Sequence, residues 1–165
     1  MAPPATAWQR LIFGLILAWW TCSAAAIRPV PTAANLAADG KAAHSARQPV
    51  VVLYSRSLCT WCDKARREHL NAMASQAARA ADGALYRQVN LDSDAPLVDF
   101  AGRKTSHRDF ARGHHVKMTP TLMFFAADGR ELAAAIVGYR LPEFYGTLIE
   151  DAIEDSRHQL RNGTK

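Results

Sequence analysis

The 165-residue sequence contains little cysteine, and this excludes several kinds of protein. Its three cysteines, Cys22, Cys59 and Cys62, are too few for a disulfide-dense scaffold, and they cannot complete a four-cysteine zinc site. Aromatic residues make up 8% of the chain and charged residues 21%, against 49% hydrophobic residues. That balance is typical of a globular domain, so it argues against a disordered chain and against a membrane protein with many spans.

Acidic residues are also outnumbered, with 15 Asp and Glu against 20 Lys and Arg and a formal net charge of +5. This excess favours acidic partners only weakly, because a small net charge commonly serves solubility. We expect no nucleic-acid partner, since no recognised nucleic-acid-binding motif is present. The basic segment 99–117 is interpreted as a solvated helix face. The alternative is a basic rim that steers acidic partners or stabilises a nearby thiolate.

The N-terminal residues 1–26 have the three parts of a secretory signal. Arg10 precedes a ten-residue apolar run, and small residues follow, with Ala24 and Ala26 in the spacing of a cleavage site. We therefore predict export to the periplasm, an oxidising compartment, with removal of Cys22. One alternative is an uncleaved membrane anchor, although the apolar stretch is shorter than the roughly 20 residues that a span requires. Another is lipid modification of Cys22.

The mature chain is predicted to begin with a flexible linker over residues 27–48, which are rich in Ala and Pro and lack sustained periodicity. An extra N-terminal strand or helix is the alternative. Residues 49–161 are predicted to form one domain of element order β-α-β-α-β-β-α, and this order indicates an α/β fold with a four-stranded mixed sheet flanked by helices. The predicted strands are residues 49–54, 84–91, 121–125 and 131–137. The predicted helices are residues 61–81 and 143–160, together with a helix within residues 97–112 that Gly102 interrupts.

The segment Cys59-Thr60-Trp61-Cys62 follows the first predicted strand and opens the first predicted helix. In a β-α-β chain this placement indicates a redox-active dithiol. Unpaired N–H groups and the helix dipole stabilise a thiolate at a helix N-terminus, so Cys59 is predicted to be the exposed nucleophile. Cys62 lies about one turn further along and is predicted to resolve the mixed disulfide. Trp61 is predicted to give the substrate a stacking surface, with core packing as the alternative.

Other interpretations of the two cysteines stay open. A metal half-site would need His69, His114 or His115 as further ligands, and the sequence has no second Cys-x-x-Cys. A purely structural disulfide is another alternative. The last is a binding module of the same fold that carries copper or another metal, or serves haem delivery, through the dithiol.

Residues 50–153 resemble the thioredoxin superfamily in several short pieces that occur in the expected order. These are the strand before the Cys59–Cys62 motif, Thr119-Pro120 before an apolar strand, the Asp128-Gly129 turn, Val137-Gly138 and the closing helix. The resemblance implies a thioredoxin-like fold and a thiol–disulfide oxidoreductase that needs no metal or organic cofactor. Its implied partners are protein thiols and disulfides, and we expect it to act as a monomer. Its exported form is most similar to periplasmic thioredoxin-like proteins.

The resemblance also implies a substrate-binding role for two residues beside the dithiol. In this family Pro120 would have a cis peptide bond after Thr119 and would face the sulfurs, and the backbone of Thr119 would pair with an extended substrate segment.

Three departures from typical cytosolic thioredoxins leave the redox direction open. Thr60-Trp61 stands where those proteins have Gly-Pro, Leu58 stands where they have Trp, and Leu53 stands where they have a buried Asp. Because no His lies between the cysteines to stabilise the thiolate, the sequence favours a reductase. Such a reductase would require a membrane electron donor.

Overall fold

The computed structural model describes residues 27–78, 80 and 83–163. The signal sequence predicted for residues 1–26 lies outside this described part of the chain. Within the described part, no helix is both long enough and apolar enough to cross a bilayer.

Five α-helices and six strands make up the described fold. The helices are α1 (Leu36–Ser45), α2 (Thr60–Ala65), α3 (Asn71–Ala77), α4 (His107–Gly113) and α5 (Tyr145–Asn162). The strands are β1 (Val50–Ser55), β2 (Leu85–Asn90), β3 (Pro96–Val98), β4 (Lys104–Ser106), β5 (Thr121–Phe125) and β6 (Glu131–Val137). A π-helical turn, Arg66–Leu70, joins α2 to α3, and a 3₁₀ turn, Pro142–Phe144, leads into α5.

The central sheet has four strands in the order β2-β1-β5-β6. Strand β1 runs parallel to β2 and antiparallel to β5, and β6 is antiparallel to β5. The predicted α/β fold with a four-stranded mixed sheet is therefore confirmed. All six residues of β1 are buried, as its unbroken apolar sequence requires of a strand that is covered on both faces.

Helices cover both faces of the sheet because alternate side chains of β1 point to opposite sides. Val51 and Leu53 belong to one buried cluster, together with Leu70 and Ile149 from the helices after the dithiol and at the C-terminus. Val50, Val52 and Tyr54 belong to the other cluster, which also holds Leu36 of α1 and Phe110 of α4. The cysteine motif therefore begins at the carboxyl end of the most buried strand.

The prediction of a flexible linker over residues 27–48 is wrong, since part of this segment is helical and packed. Asn35 caps α1 by accepting a hydrogen bond from the Ala38 N–H (2.9 Å). Ahead of the helix, the Ala33 N–H donates to the Gln88 carbonyl (2.8 Å), so the chain extends along the outer edge of β2. Asp39 pairs with Arg87 of β2. The segment therefore completes one face and one edge of the sheet.

The helix predicted within residues 97–112 is present only in the second half of that segment. Strands β3 and β4 form a short antiparallel hairpin in its first half, and the chain turns at Gly102 with a φ of 81°. The helix begins only at His107, where the Ser106 hydroxyl accepts from the Asp109 N–H (3.1 Å). The buried His107 ring accepts from the Asn90 N–H (3.2 Å), and burial lowers the pKa of this imidazole. This bond fixes α4 against β2.

Candidate active site

The two cysteines form a disulfide at the junction of β1 and α2, with their Cα atoms 5.2 Å apart. Cys62 is fully buried, whereas Cys59 is half-buried. A second sulfur can therefore approach Cys59 from solvent, while Cys62 is covered by protein. The nucleophilic role of Cys59 and the resolving role of Cys62 stay predictions.

Cys59 is the N-cap residue of α2, with extended backbone angles (φ −101°, ψ 93°). Its sulfur accepts a hydrogen bond from the Cys62 N–H at 3.2 Å. An N-cap side chain normally satisfies such an unpaired donor with oxygen. In the reduced protein the same donor would face a thiolate, and a donated hydrogen bond favours the charged form.

Two residues of the loop before β5, Thr119 and Pro120, complete the surroundings of Cys59. The Thr119 hydroxyl lies 3.6 Å from the Cys59 sulfur, close enough for a hydrogen bond. The Thr119–Pro120 peptide bond is cis, and Pro120 is buried. The loop is fixed because the Gly138 N–H donates to the Pro120 carbonyl (2.7 Å). The structure thus brings Thr119 and Pro120 beside the dithiol.

Replacing Thr119 by Val is expected to slow the reaction of reduced Cys59 with iodoacetamide. A hydrogen bond to a charged group contributes about 1.5–3 kcal/mol, and a sulfur acceptor lies at or below the weak end of that range. We therefore expect a roughly threefold to tenfold lower alkylation rate at pH 7, because less of the thiol is ionised. Thr119→Ser keeps the hydroxyl and should retain the original rate. Equal rates for the Val variant and the unmodified protein would contradict the role given to the hydroxyl.

The loop before Cys59 is held by a carboxylate from the end of β2. The Ser57 N–H donates to Asp92 Oδ2 at 2.8 Å, and this hydrogen bond lowers the pKa of Asp92. Further along the helix, the Arg66 guanidinium donates to Ser55 Oγ (3.1 Å) and Gln88 Oε1 (2.6 Å). These bonds attach the motif to the carboxyl ends of β1 and β2.

Trp61, between the two cysteines, is an exposed side chain, with 56% of its surface accessible. Its ring stacks on Tyr139 with centroids 6.0 Å apart and planes inclined by 24°. The Lys64 ammonium lies 5.8 Å from the Trp61 ring centroid and 5.7 Å from that of Tyr139. The Trp61 indole is therefore an exposed aromatic surface beside the dithiol that contacts Tyr139 and Lys64, and it does not belong to the core.

Tyr139 is a residue of this site that the sequence does not reveal. Its hydroxyl donates to Glu68 Oε2 and lies 3.1 Å from His69 Nε2, both on the π-helical turn. Burial and the neighbouring Glu68 carboxylate raise the pKa of Tyr139 to about 12. The partners are about 70 positions apart in the chain, so no local pattern predicts the contact.

The basic segment 99–117 contains several cations that are paired with acids. Arg103, Arg108 and Arg112 form ion pairs with Asp99, Asp94 and Asp109, respectively. The His114 ring packs against Phe110 (4.6 Å) and Phe125 (5.0 Å). In the described ranges, no group of three or more His, Cys, Asp or Glu side chains is placed to hold a metal ion.

A family model described as a thioredoxin-like domain matches residues 36–153. No curated protein matches the sequence. Among solved structures, the chain is similar to a DsbH oxidoreductase at 16% identity and a TM-score of 0.55, over 78% of this chain and 88% of that one. Fasciola hepatica thioredoxin aligns at 18% identity and a TM-score of 0.51, over 75% and 96% of the two chains. Malassezia sympodialis thioredoxin aligns at 15% identity and a TM-score of 0.51, over 80% and 96%.

At these identities the solved structures establish the shared fold, while the family match extends from α1 into α5 and includes the cysteine motif. The fold and the Cys59–Cys62 pair together support thiol–disulfide oxidoreductase chemistry in general. The chain belongs to the thioredoxin-like domain family.

Proposed function

We propose that this protein is an exported thiol–disulfide oxidoreductase that reduces protein disulfides. The observation that carries the proposal is the unequal exposure of two bonded sulfurs at a helix N-terminus, with Cys59 accessible and Cys62 buried. Attack by a thiolate on a disulfide proceeds through a mixed disulfide, so only one of the two sulfurs needs to reach the substrate.

The reaction begins with the reduced protein. The Cys59 thiolate attacks one sulfur of the substrate disulfide, which forms a bond to Cys59 and releases the other substrate sulfur as a thiolate. Cys62 then loses its proton and attacks Cys59, so that the Cys59–Cys62 disulfide forms and the second substrate thiolate leaves. Two electrons have passed to the substrate, and the released thiolates take up protons. The protein must then accept two electrons from an external dithiol donor.

Four surrounding groups have defined roles in this proposal. The Cys62 N–H and the Thr119 hydroxyl stabilise the Cys59 thiolate. The backbone of Thr119, at the cis bond to Pro120, lies beside the sulfur and pairs with the main chain of an extended substrate segment. Trp61 supplies an apolar contact for that segment.

The direction and location belong to the proposal as well. Residues 1–26 act as a secretory signal that places the protein in the periplasm, and a membrane protein supplies its electrons. The reducing direction is supported by the residues between the cysteines, Thr60 and Trp61, which carry no positive charge to stabilise the thiolate.

Replacing the resolving cysteine tests the proposal. Cys62→Ser is expected to accumulate mixed disulfides through Cys59 when the reduced protein meets oxidised insulin chains or a periplasmic extract, because the second attack cannot occur. These adducts should disappear with dithiothreitol and should not form in the double variant that also carries Cys59→Ser. The unmodified reduced protein should reduce insulin catalytically with a dithiol donor. Absence of both adducts and insulin reduction would refute the proposed function.

A further inference from the structure

The Tyr139 phenol is attached to the π-helical turn by two hydrogen bonds. Its hydroxyl donates to Glu68 Oε2 and lies 3.1 Å from His69 Nε2. Because a phenol has a single hydrogen, and Glu68 accepts it, the His69 ring is the donor in the second bond. Neighbouring residues of an α-helix point about 100° apart, whereas here both reach one oxygen. A π-helical turn of this kind frequently occurs at a functional position.

The Tyr139 ring extends this attachment to the residue between the two cysteines. It stacks on Trp61 with centroids 6.0 Å apart, and the Lys64 ammonium lies 5.7 Å from the Tyr139 centroid. The ring also lies 4.6 Å from that of Tyr145, at the start of α5. One side chain therefore contacts the dithiol helix α2, the π-helical turn and α5.

The backbone beside Tyr139 holds the loop that carries Thr119. Gly138 directly precedes Tyr139, and its N–H donates to the Pro120 carbonyl at 2.7 Å. Pro120 is buried and follows Thr119, whose hydroxyl lies 3.6 Å from the Cys59 sulfur. A series of contacts therefore leads from the π-helical turn, through Tyr139 and its neighbour in the chain, to the hydroxyl beside the reactive sulfur.

The Tyr139 side chain determines the position of an otherwise irregular connection. Residues 138–141 lie between the end of β6 and the 3₁₀ turn. Connecting segments are usually more mobile than the elements they join, so a side chain that attaches one of them to a helix restricts its movement. Burial and the Glu68 carboxylate raise the pKa of Tyr139 to about 12. At neutral pH the phenol therefore keeps the proton that it donates.

We propose that Tyr139 is a positioning residue, which holds the Thr119 hydroxyl at the Cys59 sulfur by attaching residues 138–141 to the π-helical turn. This inference rests on the proposed function and adds to it a residue that acts through Thr119 and not on the sulfurs themselves. The two hydrogen bonds of the phenol fix Gly138, and the Gly138 N–H fixes the loop. A displaced hydroxyl would stabilise the thiolate less, because a hydrogen bond weakens steeply as its geometry departs from the optimum.

Tyr139→Phe tests this inference, because it keeps the ring and removes both hydrogen bonds of the hydroxyl. With the reduced protein at pH 7, we expect iodoacetamide to alkylate Cys59 about threefold more slowly, the weak end of the effect expected for Thr119→Val, since the Thr119 hydroxyl is displaced and not removed. The difference should vanish at a pH above the pKa of the thiol, where both proteins are ionised. Equal alkylation rates at pH 7 would overturn the proposal.

A double variant determines whether Tyr139 acts through Thr119. Substitutions that remove parts of one connected interaction are not additive, whereas independent substitutions are. The hydroxyl is already absent in Thr119→Val, so adding Tyr139→Phe should slow alkylation of Cys59 no further. A further loss of about threefold in the double variant, the additive result, would mean that Tyr139 affects Cys59 by another route, and would contradict the proposal.

Tyr145→Phe is the matched control within the same group of rings. The Tyr145 ring lies 4.6 Å from that of Tyr139 and 5.5 Å from that of His69, but its buried hydroxyl has no hydrogen-bond partner among the described residues. Removing it should leave the alkylation rate unchanged and keep or raise the urea midpoint of unfolding, because an unpartnered buried hydroxyl is unfavourable. Equally slowed alkylation in Tyr145→Phe and Tyr139→Phe would mean that the two hydrogen bonds are not the cause, and would contradict the proposal.

Failure of the inference is separable from failure of the proposed function. If Tyr139→Phe lowers the urea midpoint but leaves the alkylation rate unchanged, the phenol serves only the stability of the fold, and the positioning role is overturned. Insulin reduction by the unmodified protein would then leave the oxidoreductase intact. Absence of both insulin reduction and Cys62→Ser adducts would refute the proposed function whatever the alkylation rates are, and the positioning role would be refuted with it.

Discussion

A chain that begins at Pro49 is expected not to fold cooperatively, although the sequence pattern places the start of the domain there. The segment ahead of it contributes Val30, Ala33, Leu36 and Ala43 to the interior, each at most 7% exposed. It also supplies the backbone partners of Gln88 at the outer edge of β2. Removing it would expose one face of the core and leave that edge unpaired.

The expected loss is comparable to the whole stability of a domain. Burying a Val or Leu side chain stabilises by about 1.5–3 kcal/mol, and a domain is typically stable by about 5–15 kcal/mol. We expect the chain starting at Ile27 to unfold in one urea transition and the chain starting at Pro49 to show none at 25 °C. Circular dichroism and tryptophan fluorescence would report both, since Trp61 is the one tryptophan of either chain.

Single substitutions in the longer chain separate packing from chain length. Leu36→Ala, at a fully buried position, should lower the free energy of unfolding by about 2–5 kcal/mol. Ile27→Ala, at an exposed position, should change it by less than about 0.5 kcal/mol. A stable, cooperative domain from Pro49 onward, or equal effects of these two substitutions, would mean that the N-terminal segment is a linker after all.

Strong local patterns account for the parts of the fold that the sequence predicts correctly. Strands β5 and β6 have the predicted bounds, residues 121–125 and 131–137, because apolar runs on either side of an Asp-Gly turn have few alternative structures. The cysteine motif is located for a similar reason, since a reactive dithiol needs a strand before it and a helix after it.

Small residues explain why the N-terminal helix is missed. Gly40 and Ala43 of α1 are buried, but neither has a large side chain that would produce a helical apolar period. Gly40 is required because any Cβ there would collide with the Ala127 carbonyl. Such a close approach between distant segments is a tertiary contact, and composition alone makes this stretch resemble a linker.

The missed features of the site have a different cause. Tyr139 meets Glu68 and His69 only after the chain has folded. Leu58 and Leu141 adopt left-handed angles at which glycine or asparagine is expected, so their residue type predicts an ordinary conformation. Long-range contacts and exceptions to residue preference are where sequence patterns carry least information.

Leu53 poses a sharper question, because typical thioredoxins have a buried Asp at this position. Here the side chain is 1% exposed and belongs to a buried apolar cluster with Ala65, Leu70, Leu122 and Phe124. A carboxylate introduced among these groups would lose its hydration with no charged partner in the cluster. Burial would therefore raise the pKa of an aspartate at this position and favour its neutral form.

Leu53→Asp is therefore expected to destabilise the protein most at neutral and higher pH. A pKa raised by about 3 units corresponds to about 4 kcal/mol at pH values above both pKa values. This loss shrinks as the pH falls towards about 4, because the introduced carboxyl takes up a proton in the folded state below its raised pKa and the buried charge disappears. Urea unfolding from pH 4 to pH 8 would measure it. Leu53→Asn has a side chain of similar shape without a charge. It should lower the free energy of unfolding, relative to the unmodified protein, by the same amount at every pH.

The comparison of the two variants has a consequence for the chemistry. If Leu53→Asp is as stable as Leu53→Asn at pH 8, the cluster accommodates the charge of a carboxylate, and an internal base would destabilise the fold no more than the loss of the leucine does. If Leu53→Asp is about 4 kcal/mol less stable than Leu53→Asn at pH 8, the core around position 53 does not accommodate a charged side chain. In the proposed reaction, Cys62 loses its proton without a carboxylate at position 53, so the first substrate thiolate released or solvent is the acceptor. The rate of insulin reduction should accordingly depend on pH in the same way for the unmodified protein and for Leu53→Asn.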